Sequence, residues 1–357
     1  MSNLWFGAYV LWLTAFAMSG PLMEPAARLA WFALPHALAL LAWGRWGDSR
    51  RLEAVMPLAL LLTAGATAGQ AVMPAGDEGG AASRMAALLG LAAAPVSLRA
   101  GEWLALQRRP VVAAAVGLAL GNAGSVALVA APVPRALKLA LLTILLMGFA
   151  LPRRTDVQRL TSRAGTPWRS WVPLLLFLTA FQVVSGLMYS HLWPAYRQHA
   201  PAEGLELLFY MASVALVTRW TTAASLGCTL TAVLLSLASF SVYVTLAPPW
   251  GPSGAMFLMM MATGIVDLLL LALVLRQGHV VRAYGYGVGA LVLGIAIGDL
   301  LSSLLPAAAL PTGFSALGAL ILSMVALTAW RFGGAHGLGE PVPALPAFAQ
   351  ADGDAAT

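Results

Sequence analysis

The 357-residue chain has one cysteine, Cys228, set inside an apolar run. A lone thiol excludes an intrachain disulfide and any metal site built on cysteine. Charge is scarce as well. Only 10% of residues are Asp, Glu, Lys or Arg, against about 25% in an average soluble domain. No GxxxxGKS/T segment occurs, so the backbone cradle that holds nucleotide phosphates is missing and ATP use is not expected. HExxH and GxSxG are also missing, and nothing in the sequence argues for catalysis; the expectation is a non-enzyme without cofactor or metal. The net charge of +6 and isoelectric point near 10.0 would suit an anionic partner. The basic residues, however, are spread through short connections, with no helix-turn-helix or finger spacing, which speaks against nucleic acid.

What the chain has in excess is apolar surface. Hydrophobic residues make up 60% of it and the mean hydropathy is +0.82. A water-soluble fold has too little interior to hide this much, because more than half of its exterior atoms are already apolar. The lipid bilayer is therefore the expected partner. The first segment, MSNLWFGAYVLWLTAFAMSG, has no Lys or Arg ahead of its apolar run and is rich in aromatic residues, as expected of an uncleaved span rather than a signal peptide.

Segments long enough to cross, roughly 17–25 mostly apolar residues, fall at 3–20, 28–44, 54–73, 84–104, 110–131, 135–151, 171–193, 204–218, 220–247, 254–275, 283–305 and 311–331. Pro- and Gly-containing connections such as GPLMEP, APVP and LAPPWGPSG stop these helices. The longest internal polar stretch, PRRTDVQRLTSRAGTPWRS at 152–170, separates six spans from six. The expected fold is an all-α polytopic membrane protein of twelve transmembrane helices. Residues 1–151 and 171–332 would form two six-helix bundles, 152–170 a cytoplasmic linker and 333–357 a disordered tail rich in Pro, Ala and Gly.

Basic residues alternate from connection to connection. One set of connections carries fifteen of the twenty Lys and Arg residues and the other carries five. Positive loops remain in the cytoplasm, which puts both termini and the 152–170 linker inside. The eighth span is short and begins with Glu203 and Glu206. Without it the later arginines, Arg276, Arg282 and Arg331, would fall outside, so the alternation retains it.

The second connection, GRWGDSRRLE at 44–53, concentrates Arg45, Asp48, Arg50, Arg51 and Glu53 in ten residues. Arginines that fix topology account for the charge alone. The order of residues, Gly44 followed by Asp48 and then Arg50 and Arg51, resembles the signature loop between spans two and three of the major facilitator superfamily. That resemblance implies a tight turn at Gly44 and a latch between Asp48, the arginines and neighbouring helix ends, gating the cytoplasmic side. The loop here is shortened, and its counterpart VTRWTT at 217–222 keeps only Arg219. The segment RAYGYGVGALVLGIAIGD at 282–299 is also similar to a span of bacterial LuxR-type membrane regulators, a likeness that raises a sensor function; no helix-turn-helix is visible in this sequence.

Glycines recur on spans five (Gly117, Gly121, Gly124) and eleven (Gly285, Gly289, Gly294, Gly298). Spacings near four place small residues on one helix face and allow close approach. The equivalence of these spans in a six-plus-six repeat predicts that they form the interface between the bundles, with ordinary packing as the alternative. Ionisable groups within spans are costly and mark functional positions; here they are His36, Asp267 and Asp299. Asp267 lies nine residues before Arg276, roughly 13 Å in from the expected cytoplasmic edge at helical rise, and is the first candidate for solute or proton coupling. For Asp299 a capping role, and for His36 a structural hydrogen bond, are the competing readings. Tyr9, Trp12, Ser97, Gln182, Ser185 and Tyr189 are the other polar or aromatic candidates, with Thr263 one turn from Asp267 on its face. A single acid in an apolar cavity suits an amphipathic or cationic organic solute.

The facilitator resemblance implies a secondary transporter that moves a small organic solute by alternating access, with proton coupling, in the bacterial inner membrane. The alternative is a non-transporting membrane sensor that uses the same bundle to bind a ligand and signal to a protein partner.

Overall fold

The computed structural model describes residues 2–18, 22–23, 29–71, 80–150, 172–200, 204–219 and 225–304. The expected linker at 152–170, the twelfth span at 311–331 and the tail lie outside the described residues, as does Gly20 at the end of the first span.

Among the described residues there are eleven α-helices. They are α1 (Ser2–Trp12), α2 (Leu29–Trp46), α3 (Ser49–Gly69), α4 (Ala81–Ala105), α5 (Pro110–Ala130), α6 (Arg135–Met147), α7 (Val172–His199), α8 (Leu205–Val217), α9 (Ser225–Thr245), α10 (Trp250–Val274) and α11 (Val280–Leu304). α1 runs on into a π-helical turn, Leu13–Ala17. Seven of these helices are long and apolar enough to cross a membrane, and α8 is among the shorter apolar ones. Each expected span from the first to the eleventh coincides with one helix, with ends displaced by a few residues. α3 starts five residues early, at Ser49, because Asp48 caps it: the Asp48 carboxylate accepts the Arg51 N–H at 2.8 Å. α5 begins on Pro110, a residue without the N–H that a first helical turn leaves unused.

The outward faces are as apolar as the interior. Leu38, Leu58, Leu61, Leu88, Leu120, Ile144, Leu216 and Leu234 are all exposed. In water this would be an aggregation surface, whereas acyl chains solvate it without cost.

The helix pairings repeat with an offset of six. α1 packs on α5 and on α4, α2 on α4, and α3 on α4. In the same way α7 packs on α11 and α10, α8 on α10, and α9 on α10. Even the close approaches correspond. A Cβ at Gly90 of α4 would strike the Phe32 carbonyl of α2, and one at Gly264 of α10 would lie 2.8 Å from the Tyr210 carbonyl of α8. The two sets of helices meet through α2 with α11 and α5 with α8. Gly204 at the start of α8 has φ +82°, a left-handed conformation natural to glycine, and an added Cβ there would also lie 2.7 Å from Val126 of α5.

Candidate functional site

A polar cluster forms where α7, α8 and α10 converge. Asp267, on α10, is half-buried among buried apolar neighbours. Its Oδ2 accepts a hydrogen bond from the Tyr210 hydroxyl of α8 at 2.9 Å, and its Oδ1 faces the Gln182 amide Nε2 of α7 at 3.4 Å. One turn away, the Ser185 and Thr263 hydroxyls stand 3.5 Å apart across the same α7–α10 seam. Gln182 also packs against α11, where a Cβ at Gly294 would lie 2.7 Å from the Gln182 Cβ. No cationic side chain pairs with Asp267 among the described residues.

Asp299 sits elsewhere. Its carboxylate, on α11, accepts the Ala30 N–H in the first turn of α2 at 3.2 Å and the Ser190 hydroxyl of α7 at 3.1 Å. It therefore ties three helices together at a helix N-terminus, where the backbone dipole favours negative charge. His36 is 1% exposed; its Nδ1 lies 2.9 Å from the Gly90 carbonyl and its ring stacks on Phe32 at 5.1 Å. Since a carbonyl only accepts, Nδ1 carries the hydrogen. Trp12 donates its indole N–H to Thr67 at 3.1 Å and packs with Tyr9, Phe16 and Phe32, so Tyr9 and Trp12 belong to an aromatic core around α1. Tyr189 stacks on Trp193 along α7 at 5.2 Å.

The 44–53 connection joins the two sets of helices. Gly47 ends α2, its N–H bonded to the Trp43 carbonyl at 2.7 Å. Its own carbonyl accepts from Arg282 Nε, on α11, at 3.3 Å. Arg51 folds back on its own loop, with Nε 3.4 Å from Asp48 Oδ2 and a guanidinium hydrogen bond to the Trp46 carbonyl at 2.7 Å, while Arg50 is exposed. The Arg51 backbone N–H, followed by the Arg51 charge, the Arg50 backbone N–H and the Arg282 charge, holds the Asp48 carboxyl below the usual carboxylate range. Gly44 faces Gly285, and Gly289 faces Leu41, where α2 crosses α11. The other five glycines pack elsewhere. Gly117, Gly121 and Gly124 seat Phe6, Val10 and Leu11 of α1, while Gly294 and Gly298 lie on α7.

Sequence reasoning missed two groups. Tyr210 is one, hidden in the apolar run of the eighth span. The other is Glu206, which is 4% exposed and accepts a hydrogen bond from the Tyr196 hydroxyl at 2.9 Å. The available signal was spacing: Glu206 and Tyr210 are four apart, hence on one face of α8. No group of three or more His, Cys, Asp or Glu residues is placed to hold a metal among the described residues.

No family model and no curated protein matches the chain. Among solved structures, the human organic anion transporter MFSD10 (TETRAN) superimposes with a TM-score of 0.57 at 17% identity, covering 84% of this chain and 82% of that one. That likeness, together with the helix pairing repeated at an offset of six, identifies the architecture: the described residues form a helical membrane bundle with the fold of that transporter.

Proposed function

We propose that the chain is a secondary transporter that moves a small organic solute across the bacterial inner membrane by alternating access. Residues 1–151 and 171–332 are the two rocking six-helix bundles, 152–170 is their cytoplasmic linker, 333–357 is a cytoplasmic tail, and both termini face the cytoplasm. The observation that carries the reading is the Asp267 cluster. An acid sits within a membrane-crossing helix, held by Tyr210 and Gln182 from two other helices and unpaired with any cation among the described residues. Such a group is too costly in lipid to be kept without a task, and the helix ensemble around it is the one on which transporters of this fold are built. Asp267 is the seat of the solute or of the coupled proton. Gly44 near the end of α2, the Asp48 cap, and Arg50 and Arg51 at the start of α3, held to α11 through Arg282 and Gly47, form the cytoplasmic gate. The anion named for the fold neighbour is a property of that protein; at 17% identity it does not carry over.

The test is solute-driven proton movement in proteoliposomes loaded with a pH-sensitive dye. The native chain shows flux with at least one member of a solute panel, and Asp267→Asn abolishes it while eluting as a folded protein. Unchanged flux in the variant removes Asp267 from the mechanism. Solute binding without any flux marks the chain as a sensor instead.

A further inference from the structure

We infer that the Asp267 cluster is a receptor for a protonated amine, held by charge at Asp267 and by an N–H···O hydrogen bond at Gln182. This rests on the reading of Asp267 as the seat of the ligand and adds its chemical class.

Gln182 is fully buried, and its Oε1 has no hydrogen-bond partner. Its amide is oriented by chemistry. With Asp267 ionised, Nε2 faces its Oδ1 at 3.4 Å, and reversing the amide would set two acceptors against each other. The carbonyl oxygen is therefore a buried acceptor without a donor, a condition that native interiors rarely leave in place. The rest of the cluster has the same bias. Tyr210 spends its one hydrogen on Asp267, which leaves its oxygen as an acceptor. Asp267 is an acceptor at both oxygens and receives only neutral donors. What is missing from this set is a positive charge and N–H groups. A protonated primary or secondary amine supplies both, and an anion supplies neither. The half-buried state of Asp267 and Thr263 leaves both partly open along the α10 face, and the buried Met260 and Met256 lie about two and three turns before Asp267 on the same helix. Methionine adapts to apolar bodies of varied shape, so the fitting ligand is an ammonium group on an apolar frame.

The experiment is calorimetric binding of three probes on one phenyl frame to the purified full chain in detergent at neutral pH: phenethylamine, its N,N,N-trimethyl analogue and phenylacetate. Phenethylamine binds, and the trimethyl analogue, which keeps the charge but has no N–H for Gln182, binds about tenfold more weakly. Phenylacetate does not bind. Asp267→Asn weakens phenethylamine by about 100-fold. Gln182→Leu weakens it by about tenfold and removes the preference over the trimethyl analogue. If Asp267→Asn fails to elute as a folded protein, the loss of that preference in Gln182→Leu decides the matter. Phenylacetate binding as well as the amine, no amine binding to the native chain, or native affinity in the folded variants overturns the inference. Amine binding without vesicle flux defeats the transport reading and leaves this one standing; flux of a solute with no amine binding does the reverse.

Discussion

Gly44 of α2 and Gly285 of α11 meet back to back. A Cβ placed on Gly285 would stand 2.6 Å from the Gly44 amide nitrogen and 2.6 Å from the Leu40 carbonyl. Both obstacles are backbone, so neither swings aside as a side chain would, and the helices must part. Gly285→Ala is expected to destabilise the protein by about 1–3 kcal/mol, the usual range for overpacking. Gly65→Ala, where a Cβ meets nothing within 4 Å, is expected to be neutral or to gain up to about 1 kcal/mol from helix propensity. Thermal unfolding of both variants in one detergent checks the pair; equal effects would mean that the α2–α11 crossing is not tight.

Asp48 links the second connection to pH. Its carboxyl is held below the ordinary range, mainly by the Arg51 N–H. A depressed folded value stabilises the charged form, so the contribution is present above the ordinary carboxylate range and fades as pH falls through the lowered value. Asp48→Ala should lower the melting temperature at pH 7 and by less at an acidic pH below the ordinary carboxylate range, with Asp48→Asn in between because an amide oxygen still caps a helix. A difference that is the same at both pH values would assign no part to the charge.

Arg99 and Glu102 on α4 pair at 3.1 Å and are 8% and 3% exposed. Their spacing of three predicts this contact. Removing one partner strands a buried charge, so Arg99→Met should cost about 3–5 kcal/mol, whereas Arg99→Met with Glu102→Leu should recover most of it. Additive losses in chemical denaturation would show that the two residues do not act as a pair.

Asp299 differs from Asp267 in its partners, joining the start of α2 to α7. An amide in its place keeps both contacts, its oxygen accepting the Ala30 N–H and its NH2 donating to the Ser190 hydroxyl oxygen. Asp299→Asn is expected to retain vesicle flux, and Asp299→Ala to lose about 0.5–2 kcal/mol of stability as a missing cap would. Loss of flux in a folded Asp299→Asn variant would instead give this carboxylate a share in proton movement.

His36 makes a similar contrast by tautomer. With Nδ1 committed to the Gly90 carbonyl, the ring serves α2–α4 packing. His36→Phe should lower the melting temperature and leave the pH profile of flux unchanged; a displaced profile would restore the histidine as a relay.

The helices were legible because a span must be both long and apolar, and few residue orders satisfy that by chance. Boundaries were less so. α3 begins five residues earlier than its apolar run, since a cap at Asp48 draws the polar Ser49–Glu53 stretch into the helix. The glycine faces were visible as faces, but their partners were not. Spacing shows that Gly117 and Gly121 share a side of α5; it does not say that α1 lies there and α8 does not. Gly285 and Gly294, nine apart on one helix, serve two different neighbours.

Composition and charge by themselves determined that this chain lives in lipid, how its apolar runs divide into helices, and that Asp267 is the acid in want of an explanation. These follow from transfer free energies, which each segment obeys regardless of its neighbours. Only the tertiary structure decided that Tyr210 and Gln182 share that acid while Asp299 caps a helix instead. A hydrogen bond needs atoms brought within about 3 Å, and residues 57 and 85 positions from Asp267 reach it through helix packing, which no local pattern encodes.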